Sequence, residues 1–104
     1  MLFRVRAAGE AVVAEVPAGY VLESNYPNPF NPQTTIRFGM PESAQVRLVV
    51  FDVLGRQVRV LVDGVREAGT HEVVFDARAL PSGTYLYRLE TPAGSFVQMM
   101  QLVK

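Results

Sequence analysis

Apolar side chains recur at every second position in a series of short runs, and this periodicity limits the possible folds more than any other feature of the sequence. A period of two places alternate side chains on one face of a β-strand, so each run predicts a half-buried strand. No segment carries an apolar stripe of period 3.6 over the length of a helix, so we expect little helix. The alternating sets are Ile36, Phe38 and Met40; Val46, Leu48 and Val50; Val58, Val60 and Val62; Val73 and Phe75; and Tyr85, Tyr87 and Leu89.

Turn residues separate these runs at intervals of roughly 8–12 residues. Gly55 accommodates positive φ at little steric cost, and Asp63-Gly64 is a strong hairpin signal that predicts a turn ending the third alternation. Further turns are predicted at Ala68-Gly69, at residues 80–83 and at residues 92–94. Short strands bounded in this way are typical of an all-β, antiparallel β-sandwich, and we predict one of about seven strands.

The composition is that of a globular domain. Of 104 residues, 49% are hydrophobic and 19% are charged, and the longest apolar runs fall far short of the ~20 residues that span a bilayer. Ten basic residues balance ten acidic ones, so no broad electrostatic field would attract nucleic acid or an anionic membrane. The absence of cysteine excludes disulfides, thiolate metal sites and cysteine nucleophiles. We therefore expect no nucleic-acid partner, no direct membrane insertion and no cofactor.

The sequence divides into three parts. Residues 25–104 contain the complete series of predicted strands and are predicted to form the sandwich by themselves. Residues 16–24 are predicted to be a linker. Residues 1–15, in which Phe3, Val5 and Ala7 alternate, form either an extra hairpin or the tail of a preceding domain. We favour the tail, because the sandwich pattern is complete without these residues.

An octapeptide between the linker and the first long strand combines turn residues with two large aromatic rings. Proline fixes φ, lacks an amide donor and pushes its predecessor toward extended geometry, so this stretch cannot lie inside a helix or a β-ladder. We predict a polyproline-like segment with its asparagines on one edge and both rings buried, which makes it a structural clamp across the end of the sandwich. A preformed binding epitope is the alternative. The octapeptide comprises Asn25, Tyr26, Pro27, Asn28, Pro29, Phe30, Asn31 and Pro32.

The sequence offers little of the pattern expected for a catalytic or metal site. His71 is the only histidine, and no nucleophile–base set can be assembled around it. Three aspartates lie at the ends of predicted strands, where this side chain usually caps a turn, and their spacing is not that of a calcium-binding loop. We predict that the protein is not an enzyme and has no catalytic, cofactor-binding or metal-binding residue. These aspartates are Asp52, Asp63 and Asp76.

Two apolar residues do not belong to the alternating sets. Phe51 and Leu86 fall on the faces opposite to the main apolar faces of their strands. If both side chains are exposed, they indicate a contact patch.

Six blocks of the sequence follow one another along the chain: the octapeptide, Thr34-Thr-Ile-Arg-Phe38, Val50-Phe-Asp-Val-Leu-Gly-Arg-Gln-Val58, Glu67-Ala-Gly-Thr-His71, Leu80-Pro-Ser-Gly-Thr-Tyr85 and the terminal lysine. Taken together, they resemble the type A C-terminal sorting domain of the type IX (Por) secretion system in Bacteroidota and related bacteria. The resemblance runs from about Val16 to Lys104, and the blocks follow one another in the order of the family. It implies an Ig-like β-sandwich at the end of a larger secreted protein.

The resemblance also implies a function, partners and recognition residues. The domain would route a covalently linked N-terminal cargo across the outer membrane through the type IX translocon. A sortase-like peptidase would then remove the domain, leaving the cargo secreted or at the cell surface. Gly83 and Tyr85 match the Gly-x-Tyr block of the family and Lys104 matches its terminal lysine, so these three are the candidate residues for translocon recognition.

Two alternatives belong to other functional classes. A more distant similarity to the Ig-like domain of flagellar hook-capping proteins implies a structural assembly module. A carbohydrate-binding appendage of a secreted polysaccharide-degrading enzyme is the second alternative, since such domains are also β-sandwiches.

Overall fold

A computed structural model describes residues 16–104, and within this range the regular structure consists of β-strands alone. The part described therefore contains no helix that is long and apolar enough to cross a membrane. Both interpretations of residues 1–15 concern a segment outside the described residues. The strands are β1 (Val21–Leu22), β2 (Gln33–Met40), β3 (Ala44–Asp52), β4 (Gln57–Arg66), β5 (Gly69–Asp76), β6 (Gly83–Thr91) and β7 (Gly94–Leu102).

The seven strands form two antiparallel sheets that pack face to face. The first sheet has the order β1-β2-β5 and the second has the order β4-β3-β6-β7. The chain crosses between the sheets after β2, after β4 and after β5, as it does in Ig-like sandwiches. The predicted all-β, Ig-like sandwich of about seven strands is thus confirmed.

The core lies between the two sheets and is filled by the alternating side chains that the sequence indicates. Because successive residues of a strand point to opposite faces, each alternating set delivers its side chains to one face of a sheet. Four of the five sets do so, and β4 is the exception. The most completely buried core residues include Ile36, Phe38, Met40, Leu48, Val50, Phe75, Tyr87, Leu89 and Met100.

Strand β4 departs from the sequence prediction in two ways. Asp63-Gly64 does not form a hairpin turn, because β4 continues beyond it and Gly64 pairs with Val46 inside the ladder. The predicted common face is also wrong: Val62 is buried, whereas Val60 points to the outer face of the sheet. Two register shifts between β3 and β4 explain this difference, since one extra residue in a strand exchanges the two faces beyond it.

The sandwich begins earlier than predicted, because part of the predicted linker 16–24 forms β1, which pairs with the end of β2. Side chains of the second sheet hold this short strand in place. The Tyr87 hydroxyl donates a hydrogen bond to the Glu23 carbonyl at 2.6 Å, and Nε2 of Gln98 donates one to the Leu22 carbonyl at 3.0 Å. Two residues are too few to show an alternation, so periodicity could not identify β1.

Candidate recognition surface

The octapeptide at residues 25–32 joins the two sheets through its backbone. Tyr26 forms an antiparallel bridge with Thr35 of β2, with N–O distances of 3.0 and 2.9 Å. Four residues later, the Phe30 amide donates to the Gln101 carbonyl, and the Phe30 carbonyl accepts from the Val103 amide, both at 3.0 Å. The segment therefore lies across the end of the sandwich at which β2 begins and β7 ends.

The two aromatic rings of the octapeptide have opposite environments. Phe30 is 2% exposed and its ring lies 6.1 Å from that of Phe75, whereas Tyr26 is 81% exposed. The prediction that both rings are buried is correct for Phe30 and wrong for Tyr26. Bridge partners point to the same side of a sheet: Phe30 pairs with the buried Leu102, and Tyr26 pairs with Thr35, whose side chain is on the outer face.

The asparagines of the octapeptide do not share an edge. The three peptide bonds that precede its prolines are cis. Asn25 is buried and its Nδ2 donates to Oγ1 of Thr34 at 3.0 Å, whereas Oδ1 of Asn28 accepts from the Gln101 amide at 3.0 Å. Asn31 is exposed. The prediction failed because tertiary hydrogen bonds, and not the local repeat, determine where each side chain points.

Tyr85 lies in the core at the start of β6 and shapes the loop before it. Its side chain is 4% exposed, and its hydroxyl donates to the Pro81 carbonyl at 2.6 Å. A tyrosine that bonds to the backbone a few residues upstream in this way is the tyrosine corner of Ig-like sandwiches. Burial raises the pKa of Tyr85, which keeps the phenol protonated as a donor. Gly83, two residues earlier, is exposed.

Lys104 lies beside the same loop. Its Nζ donates to the Arg78 carbonyl at 2.6 Å, and its amide donates to Oγ of Ser82 at 3.0 Å. The three residues that the resemblance identifies for recognition therefore meet around residues 77–83, with Gly83 and Lys104 at the surface and Tyr85 beneath them.

A groove of about 480 Å³ lies between this loop and the β3–β4 turn. Two apolar side chains at the tip of that turn, those of Val53 and Leu54, are exposed. The Asp52 carboxylate holds the turn by accepting hydrogen bonds from the amides of Leu54 and Arg56, at 2.9 and 3.0 Å. These bonds, that of Arg56 above all, lower the pKa of Asp52. Gly55 takes a φ of +81°, which confirms the turn predicted there.

The contacts of the other candidate polar residues are structural. Asp76 caps a turn, as predicted for it and for Asp52, by accepting from the Arg78 amide at 3.0 Å, whereas Asp63 lies inside β4 and not at a strand end. His71 stacks on Phe38 at 5.3 Å. In residues 16–104, no three His, Cys, Asp or Glu side chains are grouped so as to hold a metal ion.

The edge of β7 is only partly covered by the octapeptide. The Gln101 amide and carbonyl point away from β6, because they bond to Asn28 and Phe30. Since this direction alternates along an antiparallel strand, the backbone groups of Val97 and Met99 also point away from β6. Among the described residues, no backbone hydrogen bond reaches them. Within residues 16–104 this leaves a short free edge.

Phe51 and Leu86 pair with each other on the outer face of the four-stranded sheet, and both are half-buried. The Arg88 guanidinium lies over the Phe51 ring at 4.6 Å from its centroid. Apolar residues of all four strands continue this pair into a patch, which we call the outer patch. Its members are Phe51, Val60, Leu86, Val97 and Met99, and the fully buried Val49 lies among them on the same face.

Comparison with known proteins gives a family match and a structural match. A family model described as the secretion system C-terminal sorting domain matches residues 24–103. A solved structure of PorZ from Porphyromonas gingivalis, described as an essential bacterial surface component of the type-IX secretion system, is similar over 78% of this chain, with 25% sequence identity and a TM-score of 0.52. This chain corresponds to 11% of the PorZ chain. No curated protein sequence matches it.

Proposed function

This chain belongs to the family of secretion system C-terminal sorting domains, and on that premise we propose that it directs a larger cargo protein across the outer membrane through the type IX secretion system. The match over residues 24–103, which includes nearly the whole sandwich, carries this proposal. The family is one of sorting signals and not of enzymes. Domains of this kind mark proteins for export to the cell surface or for secretion.

The opposite positions of Tyr20 and Lys104 fit a domain that is read at one end while it carries cargo at the other. Tyr20, just before β1, packs on Phe96 near the start of β7, with 6.4 Å between the ring centroids. Phe30 and Lys104, by contrast, lie at the end of the sandwich where β7 finishes. A cargo that precedes residue 16 therefore leaves the octapeptide, Gly83 and the C-terminal residues open to the translocon.

We place the bond cut by a sortase-like peptidase on the N-terminal side of β1. A peptidase needs an extended, accessible stretch of substrate. The Leu22 and Glu23 carbonyls are already bonded to Gln98 and Tyr87 of the other sheet, so cleavage within residues 21–24 would require the sandwich to open.

In this proposal Gly83 and Lys104 contact the translocon directly, whereas Tyr85 acts by holding the loop at residues 77–83 in place. Neither the hook-capping function nor carbohydrate binding has a family match to support it.

A reporter tests the proposal. The 104-residue chain is fused to the C-terminus of a fluorescent protein that carries a Sec signal, in a host with a type IX system and in the same host without a functional translocon. We expect fluorescence at the cell surface or in the medium of the first strain and in the periplasm of the second. Periplasmic retention in both strains would contradict the proposal.

A further inference from the structure

We infer that the free edge of β7, together with Val97 and Met99 at the margin of the outer patch, binds one extended, uncharged strand of the secretion machinery with apolar side chains at alternate positions. This inference rests on the proposed function, because it specifies which kind of segment reads the domain. The arguments come from the backbone, the side chains and the charges of the four-stranded sheet.

The backbone argues for a strand as the occupant. Val97 and Met99 each present an amide and a carbonyl at the sheet edge, and no described backbone group bonds to them. Unpaired groups in this arrangement accept an added strand through the same ladder that joins β6 to β7. A helix or a compact loop would leave most of these groups unsatisfied.

The side chains argue for apolar residues on one face of that strand. Val97 and Met99 are 56% and 57% exposed, and both point to the outer face, where Met99 pairs with Leu86 and Leu86 pairs with Phe51. The row Phe51–Leu86–Met99 therefore crosses three strands and ends at the free edge. An added strand with an apolar residue beside Met99 would extend the row by one position and cover it.

The charges argue that the occupant is neutral along this edge. Strand β7 contains no charged residue, although edge strands usually carry charges that prevent pairing with other proteins. On the outer face, the charges nearest the outer patch already have partners within the sheet. Arg88 lies 2.6 Å from Glu90, and Arg47 lies 3.8 Å from both Glu90 and Asp63. No unpaired charge in this group remains for a charged strand to match.

The octapeptide limits the length of the occupant. It closes the edge at Gln101 and Val103, where Asn28 and Phe30 take the outward backbone groups. At the other end β7 begins at Gly94 after a turn. The occupant therefore spans about five residues, at about 3.3 Å each, and lies in line with residues 28–30.

The test uses the full chain and the reporter assay described above. Met99→Lys places a charge on the docking surface, and Val97→Pro removes an outward amide, a change that an edge strand tolerates. Val74→Lys is the matched control, because Val74 is 61% exposed on β5 of the other sheet. We expect both test variants to lower export by about tenfold or more, the factor in affinity that corresponds to about 1.4 kcal/mol. We expect the control to be exported normally.

Measurements on purified variants keep the test decisive. Unchanged urea unfolding midpoints of Met99→Lys and Val97→Pro show that their reduced export does not result from reduced stability. Normal export of both Met99→Lys and Val97→Pro overturns the inference and leaves the proposed function intact, whereas periplasmic retention of the unaltered fusion in the competent host removes the proposed function itself. An equal loss with Val74→Lys also overturns the inference.

Two other occupants are distinguished in solution. If sedimentation of the full chain shows a dimer that Met99→Lys dissociates, the edge binds a second copy. If amide exchange at Val97 and Met99 is slow in the full chain and fast after removal of residues 1–15, the chain covers its own edge. Either result overturns the inference, and rapid exchange at both amides in a monomer supports it.

Discussion

Replacing Phe30 with alanine should destabilise the sandwich severely, whereas the same change at Tyr26 should not. Phe30 is 2% exposed and packs against Phe75, and two backbone hydrogen bonds tie it to β7. Because these bonds hold the octapeptide in place, the loop cannot collapse into the space that the ring leaves. Buried Phe→Ala changes cost about 3 to 5 kcal/mol, and we expect a value in that range.

The expected loss is a large part of the free energy of unfolding of a small domain, about 5 to 15 kcal/mol. With a urea dependence of about 1.5 kcal/mol per molar, a loss of about 3 kcal/mol lowers the unfolding midpoint by about 2 M. Tyr26→Ala is the matched control in the same segment. Its ring is 81% exposed, so we expect a change within about 0.5 kcal/mol.

Urea unfolding followed by tyrosine fluorescence or circular dichroism measures both variants. A cost below about 1.5 kcal/mol for Phe30→Ala would mean that the octapeptide detaches without loss to the core, since even partly relaxed cavities cost more. A loss of stability for Tyr26→Ala as large as that expected for Phe30→Ala would show that the Tyr26 ring is buried. Either result refutes the assignment of one clamping ring and one surface ring.

Three further predictions concern single hydrogen-bonded groups. Tyr85→Phe leaves the carbonyl of the tyrosine corner without its donor and should cost about 1 to 2 kcal/mol in urea unfolding; an unchanged midpoint would contradict this role. Burial raises the pKa of Tyr87 to about 12 from 10.0, so its contribution to stability should be complete below pH 10 and be lost as the pH rises toward 12. Tyr87→Phe should remove this loss of stability at alkaline pH and should speed amide exchange in β1. If the stability of the variant falls between pH 10 and pH 12 as that of the unaltered protein does, the pKa assignment is refuted. The Arg78 side chain lowers the pKa of Asp76 to about 2 from 3.8, so the stability that it adds should be present above pH 4 and be lost between pH 4 and pH 2. Between pH 4 and pH 2, the free energy of unfolding should fall less steeply with decreasing pH for Asp76→Asn than for the unaltered protein. Equal slopes for the two proteins would contradict the prediction.

Much of the sandwich could be predicted because burial in a strand follows a local rule. Sets such as Ile36, Phe38 and Met40 show in the sequence which face of a strand is apolar, and the structure buries that face. The turn at Gly55 and the turn-capping role of Asp52 are local in the same sense. They depend on the conformation of a few consecutive residues.

The errors arose where the conformation depends on a distant partner. Asp63-Gly64 has the composition of a hairpin turn, but Gly64 is paired with Val46 in a continuous ladder. Val60 carries the same signal as Val62, and only the register shifts against β3 reveal that it belongs to the outer patch. Because β-bulges arise between two strands, the sequence of one strand does not identify them.

The candidate recognition surface divides in the same way. The sequence by itself determined that the chain forms an all-β sandwich, and its order of motifs identified the sorting family and the octapeptide. Only the tertiary structure decided that Phe30 faces the core while Tyr26 faces solvent, that Tyr85 supports a loop from within, and that Val97 and Met99 end at a free edge. The physical reason is that the alternation of side chains along a strand is a local property of the sequence, whereas the exposure of each side chain depends on the strand, loop or turn that packs beside it.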